Sequence, residues 1–115
     1  MNKLLIVDDS SLVRRELTKL LSKEGFEVFT AKDGREALDM VLIGDFDVIT
    51  MDINMPVMDG ITATEKILEF CDKKSIPYPI ICALTAYDDE ENKKNCIDAG
   101  MSDFIVKPLT LKDLR

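Results

Sequence analysis

Short apolar runs alternate along the chain with stretches in which apolar residues recur at helical spacing, and recognisable breakers or caps stand at the junctions. Leu4-Leu5-Ile6-Val7 is an uninterrupted apolar run and predicts a strand. Ser10 or Ser11 can then cap a helix whose Val13, Leu17, Leu20 and Leu21 share one face, closing at Gly25. Val28-Phe29 predicts a shorter, more polar strand suited to a sheet edge, and Ala37, Leu38 and Val41 line a second helix that stops near Gly44. Val48-Ile49-Thr50-Met51 is the third strand; after Asp59-Gly60 a helical stripe runs through Ile61, Thr64, Ile67, Leu68 and Cys71. Pro77 and Pro79 confine the connection to a fourth strand, Ile80 to Leu84, apolar on both faces as a central parallel strand is. The next helix, Asp89 to Ala99, is weakly amphipathic: Cys96, Ile97 and Ala99 are its convincing apolar residues before Gly100, so it should be loosely held. Phe104-Ile105-Val106 forms a fifth strand. Thr110-Leu111-Lys112-Asp113 resembles a capping box, with Asp in place of the usual Glu or Gln, and opens a fifth helix that stops within about a turn and a half.

Strands separated by helices, with right-handed crossovers, predict an α/β fold: an open parallel sheet covered on both faces. The 115 residues are one domain's worth, expected as a single domain over 1–115 with its last helix cut short. At 46% hydrophobic the chain can bury a core covering roughly two thirds of its unfolded surface, which excludes disorder. The apolar runs are far too short to span a bilayer, and no basic segment with an apolar centre opens the chain, so a cytoplasmic location with no membrane partner is expected.

Charge and residue usage narrow the chemistry. Fifteen Lys and Arg against 22 Asp and Glu give a formal charge of −7, which repels phosphate backbones and argues against a nucleic-acid partner. The chain has no histidine, so Ser-His-Asp and Cys-His nucleophiles are excluded, and any phosphohistidine must sit on another molecule or segment. Cys71, Cys82 and Cys96 are odd in number and share no CxxC spacing, which indicates neither a disulfide framework nor a zinc site; Cys82 reads as core filler, Cys71 and Cys96 as helix-face packing.

In open parallel sheets, ligands bind outside the carboxyl ends of the strands, where the strand order reverses. Four of the five strands run into polar residues of a particular kind: Asp8 and Asp9, Asp52, Thr85 and Lys107. Each has an ordinary structural reading on its own: acids that cap a helix, an acid that starts a turn, a hydroxyl that caps, a solvated lysine. Their coincidence carries the argument. If the strands lie in the order 2-1-3-4-5, the four bearing these groups adjoin, and carboxylates, a hydroxyl and an ammonium meet in one shallow pocket. Two unit charges about 4 Å apart at an effective dielectric near 20 repel by about 4 kcal/mol, so such a cluster implies a divalent cation. With oxygen ligands only, Mg²⁺ fits best and Mn²⁺ next.

The segments IVDDS, MDINMPVMDG, ALTA and VKP at four strand ends resemble the receiver domain of two-component response regulators, over essentially the whole chain. The resemblance implies a flavodoxin-like, doubly wound (βα)5 sheet in the order 2-1-3-4-5. It implies that Asp52 is the phosphoacceptor, that Asp9 binds the metal directly and Asp8 through water, and that the backbone carbonyl of Asn54 is a further ligand. Lys107 would pair with the carboxylate and then the phosphoryl group, across a cis peptide to Pro108; Thr85 would bond a phosphoryl oxygen. Phe104 takes the position of the switch aromatic, its ring following Thr85, although ordinary core packing would hold it equally. Asn54 and Tyr87 flank the approach of water to an aspartyl phosphate and should tune its lifetime. Added charge on Asp52 would shift the Asp89 to Ala99 helix and change the face that partners meet. The partners implied are a histidine kinase or histidine phosphotransfer domain and a downstream output domain or protein. The ending GMSDFIVKPL is also similar to receivers attached to hybrid histidine kinases.

Competing readings are weaker. Mg²⁺-dependent phosphatases with an Asp nucleophile carry a DxD after the first strand, whose second Asp protonates the leaving alcohol; here the nucleophile candidate follows the third strand, and the residue two on is Asn54. A flavin module needs a glycine-bearing phosphate loop after the first strand, and DDSS has none. A receiver used only for docking would not need the full phosphorylation set. The expected role is therefore a phosphoacceptor signalling domain rather than an enzyme acting on other substrates.

Overall fold

In the computed structural model, which describes residues 2–53, 58–85 and 90–106, the elements follow in the order β1 (Lys3–Val7), α1 (Ser11–Lys23), β2 (Glu27–Ala31), α2 (Gly34–Ile43), β3 (Val48–Asp52), α3 (Gly60–Lys74), β4 (Ile80–Thr85), α4 (Glu90–Asp98) and β5 (Asp103–Val106). The strands form one parallel sheet in the order β2-β1-β3-β4-β5, as the receiver resemblance implied. The alternation of β1 divides the core. Leu5 and Val7 join the larger apolar cluster with Ala37 and Val41 of α2, Ala63 and Ile67 of α3 and Cys96 of α4, while Leu4 and Ile6 meet Leu17 and Leu21 of α1 on the opposite face. A continuous apolar strand is thus what a sheet covered on both sides requires.

Caps resolve several boundaries. Ser10, not Ser11, is the cap of α1: its hydroxyl accepts from the Val13 N–H at 3.3 Å. Asp33 and Asp59 serve α2 and α3 in the same way, each accepting at 2.8 Å from the N–H three residues on. The edge strand is longer than its apolar pair suggested. β2 spans five residues in full register with β1, because ladder hydrogen bonds do not require the apolar side chains that Glu27 and Thr30 lack.

The fourth strand departs from expectation at both ends. Ile80 is 55% exposed, and the strand continues to Thr85, whose side chain is buried and whose backbone is paired with Val106. Cys82 is half-buried rather than fully enclosed. In α4 the expected apolar residue Ile97 is 47% exposed, and Cys96 is the helix's one buried residue. The expected fifth helix, and with it the expected cut in that helix, falls outside the described residues. No helix among the described residues is long and apolar enough to cross a membrane.

Burial pushes the thiols of Cys71 and Cys96 up, and it pushes Cys82, with help from the facing Asp103 carboxylate, up to about 12. A raised thiol pKa means that the folded state keeps its proton while the unfolded state loses it. That contribution to stability is complete below pH 9.0 and is lost as pH climbs towards about 12. Native-state alkylation at pH 8 should run at least about tenfold slower than alkylation of the urea-unfolded chain. Cys82→Ala should also flatten the alkaline fall in urea midpoint; equal alkylation rates, or an unchanged alkaline profile, would contradict this burial.

Candidate functional site

Parallel pairing decides which strand ends meet. Val7 is in register with Met51, so the next residues, Asp8 and Asp52, emerge side by side from β1 and β3. Asp8, Asp9 and Asp52 each bring a carboxylate oxygen to within 4.8 Å of the others; Asp8 and Asp52 are buried and Asp9 is exposed. At an effective dielectric near 20 a pair at that distance repels by about 3 kcal/mol, an upper figure for exposed Asp9, which water screens.

Local hydrogen bonds hold the acids in place. The Asp8 N–H donates to the Ala31 carbonyl at 3.1 Å, extending the β1–β2 ladder by one residue, and its Oδ1 accepts from the Ser10 N–H at 3.0 Å. Arg14 Nη1 donates to the Asp8 carbonyl oxygen at 2.7 Å, which brings a permanent cation beside the acids. Asp52 is fixed from behind by Gly60. A Cβ at that position would collide with the Asp52 carbonyl oxygen and stand 2.8 Å from the Ile53 Cα, while the Gly60 N–H donates to the Ile53 carbonyl at 3.3 Å. The absence of a side chain therefore lets the start of α3 press against the end of β3.

Thr85 ends β4, one residue past Leu84, the register partner of Asp52. Its Oγ1 accepts from the Asn92 side-chain amide of α4 at 3.2 Å. Phe104, paired with Ala83, is half-buried against the larger core cluster, so its packing is that of a core residue whatever else the ring does. Asn54, Tyr87 and Lys107, together with the Lys107–Pro108 peptide, lie outside the described residues.

The donor set answers what the cluster could hold. It is all carboxylate oxygen, no histidine exists in the chain, and none of the three cysteines joins the group. Such a site suits a hard divalent cation and offers nothing to a soft one. Sequence reasoning missed Arg14 and Asn92. A cation in the first turn of α1 opposes the helix dipole, which was a readable hint for Arg14. Asn92 precedes Cys96 by four residues and so shares its inward face.

The response regulator receiver domain model matches residues 4–115. The chemotaxis protein CheY of Treponema pallidum is 42% identical over 113 residues, which cover 96% of this chain and 75% of that protein. A protein-glutamate methylesterase/protein-glutamine glutaminase of Archaeoglobus fulgidus is 45% identical over 92% of this chain. Among solved structures, the complex of the Saccharomyces cerevisiae histidine phosphotransfer signalling protein Ypd1 with the receiver domain of its downstream response regulator Ssk1 aligns with a TM-score of 0.91 and 31% identity, covering 98% of this chain and 83% of the matched one. Several relatives are much longer: the chain spans 30% of the methylesterase, and 10% and 5% of two others.

Two substitutions probe this geometry. Asp9→Asn should raise the stability of the protein in chelator by about 1 kcal/mol, read as a higher urea midpoint, since it removes repulsion without opening the core. Gly60→Ala should lower it by about 1–3 kcal/mol through the clash with β3. A fall in the first case or neutrality in the second would show that the carboxylates are not crowded, or that the contact is slack.

Proposed function

The chain belongs to the response regulator receiver domain family of two-component signalling, and from that premise we propose that Asp52 accepts a phosphoryl group from a phosphohistidine on a partner, with Mg²⁺ held by Asp8, Asp9 and Asp52. The observation that carries this reading is the meeting of three carboxylates at adjoining strand ends, one of them the buried Asp52, with the Thr85 hydroxyl ending the next strand. Asn54, by its backbone carbonyl, and Lys107 complete the proposed site on the strength of their sequence positions.

The chemistry asks little of protein acids and bases. An Asp52 carboxylate oxygen forms a bond to phosphorus as the N–P bond of the donor breaks, and the electron pair leaves on the imidazole nitrogen. No group in this chain need protonate it, which agrees with the absence of histidine. The charge that accumulates on the peripheral phosphoryl oxygens calls for donors and cations already in place. Thr85 supplies a hydroxyl donor and Lys107 an ammonium. Bound Mg²⁺ would supply the remaining positive charge and relieve the repulsion among the acids. Asn54 and Tyr87 would govern how readily water reaches the aspartyl phosphate. The proposed donors are a histidine phosphotransfer protein, the class of protein that accompanies the receiver domain in the Ypd1–Ssk1 structure, or a histidine kinase, and the output lies in whatever domain or protein meets the α4 face.

Incubation with a small phosphoryl donor and Mg²⁺, followed by intact-mass measurement, tests the reading. One phosphoryl group should appear on the native chain and be lost in Asp52→Asn and in chelator. Asp8→Asn should slow uptake by at least about tenfold. Uptake that survives Asp52→Asn, or steady turnover of unactivated phosphomonoesters, would overturn it.

A further inference from the structure

Helix α4 is secured unevenly. Its C-terminal end is fixed: Cys96 is fully buried, the Met101 N–H donates to the Cys96 carbonyl at 3.1 Å, and Met101 is itself buried. Gly100 turns the chain there at φ +106, where a Cβ would run into the Leu68 side chain of α3. Ahead of Cys96 the helix is a run of exposed charged and polar residues, and Asn92 is the one described residue among them that is not exposed. Asn92 lies one helical turn before Cys96 on the same face, and its amide donates at 3.2 Å to the hydroxyl of buried Thr85. A polar side chain stands where the core stripe would continue, and it binds the hydroxyl that the proposed chemistry uses.

We propose that Asn92 is a positioning residue that latches the Thr85 hydroxyl in its resting arrangement, and so sets the equilibrium between the resting and phosphoryl-engaged forms of the β4–α4 region. The inference rests on the receiver reading given above. The Thr85 oxygen accepts from Asn92 at 3.2 Å at rest. A hydroxyl can accept and donate at once, so what separates the two forms is position. Reaching a phosphoryl oxygen on Asp52 would carry the Thr85 side chain away from α4. Engagement therefore gives up the Asn92 bond and releases the N-terminal half of α4, while Cys96, Gly100 and Met101 keep the other half in place. The helix would pivot about its anchored end rather than translate. A neutral hydrogen bond is of the right strength for such a latch, strong enough to favour one form and weak enough to be broken by one ligand.

The test is a double-mutant cycle on binding of beryllofluoride with Mg²⁺, a tetrahedral stand-in for a phosphoryl group on a carboxylate. Asn92→Ala should bind it about fivefold more tightly, the effect of removing one neutral hydrogen bond from the resting form. In metal-free protein, the amide signals of α4 should already be displaced along the line towards their positions in the beryllofluoride-bound native chain. In Thr85→Val the same Asn92 substitution should leave beryllofluoride affinity unchanged and give no displacement along that line. Weaker or unchanged binding in Asn92→Ala, or an effect that persists without the Thr85 hydroxyl, overturns the latch. Asn92→Leu, which also lacks the donor but fills the space, repeats the measurement should the alanine variant fold poorly. Failure of the native chain to bind beryllofluoride at all would instead remove the receiver reading, and the latch with it.

Discussion

Three carboxylates held within 4.8 Å of one another are an unfavourable arrangement that the rest of the structure has to impose. Left to local preference, Asp8, Asp9 and Asp52 would separate, since each pair repels by up to about 3 kcal/mol. The ladder between β1 and β3 prevents it. The Val7–Met51 register fixes where the two strands end, and apolar burial on both faces of those strands makes the register expensive to slip, because a shift of one residue would turn every side chain to the wrong face. The core thus supplies the force that keeps the acids crowded, a crowding that a small hard cation would relieve.

The same economy of local contacts explains how one end of the sheet can be firmly held while an adjoining helix is weakly held. Asp8 is tied to Ala31, Ser10 and Arg14 through bonds that involve its backbone and one carboxylate oxygen, so its position does not depend on a ligand. Gly60 presses α3 against the back of Asp52. On the other side of Thr85, α4 contributes a single buried side chain, Cys96, to the core. The floor beneath Asp52 is therefore stiff, and the α4 wall beside Thr85 is held by fewer core contacts. Phe104 packs against the larger core cluster beside that wall.

Much of the architecture was legible because hydrophobic patterning reports burial directly. The continuous run Leu4 to Val7 announced a strand covered on both faces and is buried throughout. Of the stripe through Ile61, Thr64, Ile67, Leu68 and Cys71 that announced the inner face of α3, Thr64, Ile67 and Cys71 are buried and Ile61 and Leu68 partly so. Patterning failed where burial and chemistry part company. Ile97 is apolar and exposed, Asn92 is polar and turned inward, and the length of β2 rests on backbone pairing that its side chains do not advertise.

The candidate site shows the same division. The residue types Asp8, Asp9, Asp52 and Thr85, and their places after apolar runs, are properties of the chain itself, as are the lack of histidine and the resulting need for a donor elsewhere. Their meeting is not, because strand order and register depend on how helices cross over and pack, and no local run of residues encodes the distance between Asp8 and Asp52. Arg14 beside the Asp8 carbonyl, Gly60 against β3 and Asn92 on Thr85 are likewise decisions of the tertiary structure. Each joins elements whose relative placement is set by close packing of side chains over the whole core, and packing is a property of volumes in three dimensions rather than of spacing along a line.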